Sequence, residues 1–251
     1  PRPLLIYQKY IYRISPCQSS SREGAERHGS RMESTTITLI AMDGWGSESL
    51  AEQAYRLLER LIVMLELEPG AVLTERSLTE VTGMGRTPMR EAIQRLAWEG
   101  LVEVRPRSGI AITPIDPKDY AKVLDAREGV ERVLARDAAR FGSARDYERL
   151  QVAAEAMLQA IPGEDVPSFL DADKAFDNVL GNAANNPYAA RLAAPLQTHS
   201  RRFWFRLRPS TDIAASANAH AELIEAILSR DPAKAADTAG ALMDYLRTLA
   251  P

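Results

Sequence analysis

The chain has 251 residues, enough for one or two domains at about 150 residues each. Hydrophobic residues are 45% and charged residues 26%, with 14 Gly and 15 Pro, which excludes collagen-like and largely disordered classes. The formal charge of -3 gives the chain as a whole no affinity for nucleic acid, so any such surface must be local.

Residues 15–31 are polar and lack any apolar period, so residues 1–46 are expected to be a disordered extension without assigned function. The apolar run at 4–6 is soon broken by Lys9 and makes no signal peptide. Cys17, the single cysteine, cannot close an internal disulfide and suits the cytoplasm. No uncharged apolar run approaches the roughly 18 residues of a membrane span.

From 47 to 114 the pattern predicts three helices and a hairpin. The first helix, 47–66, carries Leu50, Ala54, Leu57, Leu58, Leu61 and Leu65 on one face. Pro69-Gly70 turns the chain into a short helix at 74–82, and Gly83-Met84-Gly85 leads to a third at 87–99. Thr87 is placed to cap that third helix and Pro88 to stand at its first position. Met89, Ile93, Leu96 and Ala97 face inward, and Thr87, Arg90, Glu91 and Gln94 outward. Two apolar strands, 101–104 and 110–113, then flank a basic tip that holds Arg105, Arg107, Ser108 and Gly109. Two short helices joined by a glycine turn and followed by a hairpin form a winged helix-turn-helix.

Residues 115–251 are expected to be an all-α bundle. Of 38 alanines, 30 fall in residues 117–251, and small helix-forming side chains let neighbouring helices pack closely. Asp116-Pro117, Asn186-Pro187 and Asp231-Pro232 mark helix starts, because an Asx cap followed by proline satisfies the first turn. The helices are read near 117–141, 144–160, 166–182, 187–207, 213–229 and 232–249. The fold class is therefore mainly α, with a winged helix-turn-helix ahead of an antiparallel helical bundle.

Residues 69–113, PGAVLTERSLTEVTGMGRTPMREAIQRLAWEGLVEVRPRSGIAIT, resemble the DNA-binding domain of GntR-family transcription regulators. The resemblance implies operator contacts from Arg76, Arg86, Thr87 and Arg90 and from Ser108 and Gly109 in the wing, with Gly85 standing where many members have Ser. The chemistry agrees with it. Arg86 and Arg90 at the start of a recognition helix can reach guanine O6 and N7, while Arg105 and Arg107 can follow a backbone or enter the minor groove. The 47–114 module holds 8 arginines and lysines against 10 acids, so non-specific binding should be modest and salt dependent.

Residues from 117 onward resemble the FCD ligand-binding domain of the FadR-like subfamily, through the stretches at 124–131, 173–177 with Gly181-Asn182, and 219–227. The resemblance implies a homodimer that binds a small-molecule effector. It also points to a divalent metal site in which Asp173 and His220 match ligand positions, Asp177 replaces a histidine, and Leu242 stands at the fourth position. Asp173 and Asp177 share a helix face at i and i+4, so with His220 they can either present oxygens and nitrogen to a cation or form an ion network with nearby arginine. Arg127 and one of Arg201 or Arg202 are the expected partners for a carboxylate effector, since the guanidinium fork grips carboxylate in two hydrogen bonds.

The sequence thus reads as a DNA-binding regulator controlled by an effector, with a homodimer on double-stranded operator DNA, no membrane and no enzyme activity. Its rivals are a regulator whose pocket has decayed to a dimerisation role, and a helical metal-dependent enzyme using Asp173, Asp177 and His220.

Overall fold

The computed structural model describes residues 48–208 and 213–251. The expected extension at 1–46, with Cys17, and the expected helix start at Ser47 lie outside the described residues.

Helix α1 (Leu50–Val63) starts at Ser49, whose hydroxyl accepts the Glu52 N–H at 3.2 Å. It ends three residues earlier than the apolar pattern implies. Leu65 takes the left-handed conformation at φ 57°, and the reversal sends Leu67 into the core in place of Leu65. Strand β1 (Val72–Leu73) follows, a two-residue element too short to announce itself by alternation.

Helix α2 (Glu75–Thr82) is opened by a reciprocal capping box between Thr74 and Ser77 and closed by Gly83 at φ 69°. Helix α3 (Arg86–Trp98) is capped by the backbone of Gly85, and no side chain caps it. Thr87 and Pro88 therefore stand one and two residues inside the helix and are not its cap and first residue. Proline costs nothing there, because the first N–H groups of a helix have no intrahelical acceptor.

The wing is β2 (Val102–Arg105) paired antiparallel with β3 (Gly109–Ile112), and β1 adds a third strand in the order β1-β3-β2. Gly109 has φ 110°, and a Cβ there would lie 2.4 Å from the Leu73 carbonyl oxygen, so glycine is what lets β1 approach the wing. Leu58, Ile62, Met89, Leu96, Leu101 and Ile112 form the core between the three helices and this sheet.

Six further helices follow: α4 (Asp119–Phe141), α5 (Ala144–Gln159), α6 (Val166–Ala183), α7 (Pro187–Leu207), α8 (Ile213–Leu228) and α9 (Pro232–Arg247). Asn186 caps α7 and Asp231 caps α9, as their Asx-Pro pairs imply. At Asp116-Pro117 the carboxylate instead accepts the Lys118 N–H at 3.1 Å and makes a turn, so α4 begins at Asp119. Ala135, Ala138, Ala193, Ala217, Ala235 and Ala239 are fully buried around Leu124, Phe169, Phe176 and Met243, the close packing that the alanine count implied.

Helix α1 serves both cores. Leu58, Leu61 and Ile62 pack with the winged module, while Val63 joins the core of the bundle and Glu59 turns toward α7. His199 on α7 donates from Nε2 to the Glu99 carbonyl at 2.7 Å, a second tie across this seam.

Candidate functional site

Two groups of side chains carry chemistry. The first is the exposed start of α3 with its neighbours. Arg86 and Thr87 are exposed in the first turn, and Arg86 makes no ion pair among the described residues. Arg90, one turn on, is gripped by Glu75 at the start of α2, with Nε to Oε1 at 3.3 Å and Nη2 to Oε2 at 2.9 Å. That grip holds the Glu75 carboxyl below its ordinary range. Arg76 pairs with Glu80 at 2.8 Å and Arg105 with Glu103 at 2.7 Å, and Arg107 stands at the wing tip with φ 63° and no ion pair among the described residues. Ser108 is exposed beside it, whereas Gly109 is half-buried and has its structural reason in β1.

The acidic surplus of this module is thus largely engaged in neutralising its own arginines. Exposed pairs of this kind are weak and screened by water, so a phosphate or a guanine edge can draw the arginine away from its acid. Free N–H groups at the start of α3 add attraction for phosphate.

The second group is buried in the bundle. Arg127 from α4, Asp173 and Asp177 from α6, Arg201 from α7 and His220 from α8 converge there, each less than a tenth exposed. Arg127 donates to Glu131 Oε1 at 2.7 Å and to Ser200 Oγ at 3.1 Å, with Asp177 Oδ1 at 3.6 Å. Gln197 also donates to Glu131, at 2.9 Å. Arg201 Nη1 lies against Asp177 Oδ2 and at 3.4 Å from Asp173 Oδ2, and its Nη2 donates to Thr198 Oγ1 at 3.1 Å and reaches Glu59 Oε1 at 3.5 Å. The cavity among Arg127, Phe169, Asp173, Ser200, Arg201, Trp204 and His220 measures about 20 Å³, room for a single water.

Charge inside this site is finely divided. Burial alone would raise Asp173, but the hydrogen bond and charge of His220, with Arg201 and Arg127, hold it well below the usual carboxylate range. Asp177 moves up, because burial and the Asp173 charge outweigh the two arginines. His220 has an acceptor at each ring nitrogen, Ser216 O at 2.7 Å from Nδ1 and Asp173 Oδ1 at 2.9 Å from Nε2. Burial lowers its pKa, and the bond to Asp173 more than reverses this, so the net shift is upward.

These contacts decide the fit of a metal. The expected ligands Asp173, Asp177 and His220 do come together, but the guanidinium of Arg201 fills the space between the carboxylates. Both His220 ring nitrogens are already turned to acceptors, and α9 brings only the carbon of Leu246 to the cavity, while Leu242, the expected fourth position, lines a different hollow with Ala219 and Tyr245. Among the described residues no group of three His, Cys, Asp or Glu is arranged to hold a metal ion. The donor set does not fit a divalent cation.

Of the pair Arg201 and Arg202, Arg201 is the one at the cavity; Arg202 turns toward the winged module and donates from Nη2 to the Thr113 carbonyl at 2.6 Å, with no acidic partner among the described residues. Burial lowers its pKa to about 10. Sequence reasoning missed Glu59, Lys174 and Thr198. Lys174 Nζ contacts Glu59, and the Thr198 hydroxyl donates to Glu59 at 2.8 Å. The one available signal was an acid, Glu59, set directly beside Leu58 in the apolar face of the first helix.

A winged helix-turn-helix with exposed arginines at its recognition helix, joined to a helical bundle around a buried charged cavity, defines a DNA-binding regulator with a sensor domain. Residues 50–112 match the family described as "Bacterial regulatory proteins, gntR family", and residues 122–245 match the FCD domain. Over 147 residues the chain is 30% identical to an uncharacterized HTH-type transcriptional regulator of Agrobacterium vitis, covering 57% of this chain and 86% of that protein. It is 27% identical over 139 residues to the HTH-type transcriptional repressor RspR of Escherichia coli (strain K12), covering 55% of this chain and 61% of the repressor. The solved structure of E. coli McbR/YncC shares the fold, with a TM-score of 0.69 at 20% identity over 80% of this chain and 97% of that one. The chain belongs to the gntR family of bacterial regulatory proteins and is a transcriptional regulator with an FCD domain.

Proposed function

We propose that this regulator reads a pseudo-palindromic operator as a cytoplasmic homodimer, through Arg86, Thr87 and Arg90 in the major groove. Arg76 and the wing residues Arg105, Arg107 and Ser108 lie on phosphate or in the minor groove, with the Gly109 backbone between them. The observation that carries this reading is the start of α3, where Arg86 is unpaired and Arg90 is held as an oriented fork by Glu75. A gel shift with the DNA immediately upstream of its gene tests it. The wild-type chain is expected to retard the fragment and the R86A/R90A double variant is not; equal retardation by both would remove the residue assignment.

The effector is a small carboxylate received by Arg127 and Arg201, and the site works without a metal and without catalysis. Arg201 is already the cation between Asp173 and Asp177, and Ser200, Asp173 and His220, which line the cavity, are each held in hydrogen bonds. The single described helix set contains no helix long and apolar enough to cross a membrane. A thermal-shift screen of small carboxylates against the full chain tests the effector class.

One observation favours a second reading. Asp177 contacts both arginines, so the chain supplies its own carboxylate, and the cavity has room only for a water. A sensor closed in this way would serve dimerisation alone and would show no thermal shift with any carboxylate.

A further inference from the structure

Arg201 is shared between two parts of the molecule. Its Nη1 faces Asp173 and Asp177 on α6, inside the sensor cavity, and its Nη2 faces Thr198 and Glu59. Glu59 belongs to α1 of the DNA-binding module and is buried to 2% exposure, 142 positions away in sequence. Lys174 and Thr198 also contact Glu59, but neither touches Asp173 or Asp177 through a described hydrogen bond or ion pair. Arg201 is the one group among these that touches both the cavity carboxylates and α1.

A guanidinium in a dry site has a fixed set of donors, and a partner that binds it more tightly on one edge draws it from the other. Three carboxylates compete for this one cation. We propose that Arg201 is the transmitting residue of the regulator and Glu59 its receiver: a carboxylate that draws Arg201 into the cavity loosens Glu59 and frees α1 from α7. The direction of coupling follows. Removing a cavity carboxylate tightens α1 on the bundle, and adding one releases it. The part of this concerning an added ligand rests on the carboxylate effector proposed above; the coupling between Asp177 and Glu59 does not.

The experiment is a mutant cycle in the full chain with D177N, E59Q and the double variant, reading hydrogen exchange of the amides in α1. D177N removes one claim on Arg201 and is expected to slow exchange at 59–63 by about fivefold, within the range of couplings between residues of one network. E59Q is expected to speed it, and in the double variant the D177N effect disappears. An unchanged α1 in D177N, or the same D177N effect with and without Glu59, would overturn the proposal. Both substitutions are near-isosteric, and the intact far-UV spectrum and cooperative melt of each variant establish that it is folded before exchange is read. Sodium acetate then supplies the probe ligand: faster α1 exchange in the wild type and none in E59Q supports the transmitting role. A non-additive cycle without any acetate response leaves the coupling standing and overturns the carboxylate effector instead.

Discussion

Adjacent arginines on α7 are expected to give opposite results when replaced by methionine. R201M takes from buried Asp177 its nearest cation, leaving Arg127 at 3.6 Å, and removes a secondary partner from Asp173, which keeps His220, and from Glu59, which keeps Lys174 and Thr198. Removing one member of a buried, hydrogen-bonded ion cluster costs about 3–5 kcal/mol, because the charges left behind are uncompensated. For a domain of this size that corresponds to a fall of about 10 °C in melting temperature. R202M loses one hydrogen bond to the carbonyl of half-exposed Thr113, which water can replace, and relieves a buried cation with an unpartnered Nε. Its stability is expected within about 1 kcal/mol of the wild type, since methionine fills similar volume without a charge to desolvate. Urea unfolding at 25 °C and pH 7 measures both. The R201M deficit should also shrink toward pH 5, where the stranded carboxylates take up protons. A loss below about 1 kcal/mol for R201M, or equal losses for the two variants, would refute the assignment of Arg201 as the cation of the site and Arg202 as a seam contact.

Three other expectations follow from particular contacts. G109A forces a side chain into φ 110° and against the Leu73 carbonyl, and is expected to cost about 2–4 kcal/mol in a urea melt and to weaken DNA binding. G129A, on an exposed face of α4 with open space around it, is expected to gain up to about 1 kcal/mol; a similar loss in both would contradict the role given to β1. Burial holds His199 below its ordinary pKa of 6.5, so as pH falls through that value the unfolded chain takes up this proton ahead of the folded one. Its contribution is complete above about pH 6.5 and is lost as pH falls, so H199Q should flatten the acid limb of the stability curve. His220 is shifted the other way, and its contribution is complete below pH 6.5 and lost as pH rises through its elevated value, so H220Q should flatten the alkaline limb. Interchanged limbs would contradict the hydrogen bonding of both rings. Zinc, manganese or EDTA should leave the melting temperature unchanged, and a rise of several degrees with either metal would show that Arg201 does not occupy the place of a cation.

Much of this architecture was legible where a residue has one local role. Asn186-Pro187 and Asp231-Pro232 announce α7 and α9 because capping uses groups within three residues. Asp116-Pro117 carries the same signature and yields a turn, since the same carboxylate can satisfy a turn N–H instead. Strand β1 was hidden because its pairing with Ala111 and Ile110 is set by the tertiary fold and not by any pattern in two residues. The recognition-helix arginines were legible, being exposed on an amphipathic helix whose inner face is plain. The buried site was less so. Arg201 and Arg202 are adjacent on a helix packed on several sides, with both side chains buried, so periodicity does not distinguish the one facing the cavity from the one facing the wing. Glu59 was invisible as a site residue because its partners arrive from α6 and α7, far along the chain.

The central claim is that Arg86 and Arg90 read DNA sequence. Fluorescence anisotropy with a duplex from the region upstream of the gene, against a random duplex of equal length and across a salt series, tests it most directly. The wild type is expected to bind the upstream duplex at least about 1000-fold more tightly than the random one. R86A/R90A is expected to lose about 100-fold or more on the upstream duplex alone, as two base contacts of about 1–3 kcal/mol each require. Equal affinity of the wild type for both duplexes, or an undiminished preference in the double variant, would contradict the account.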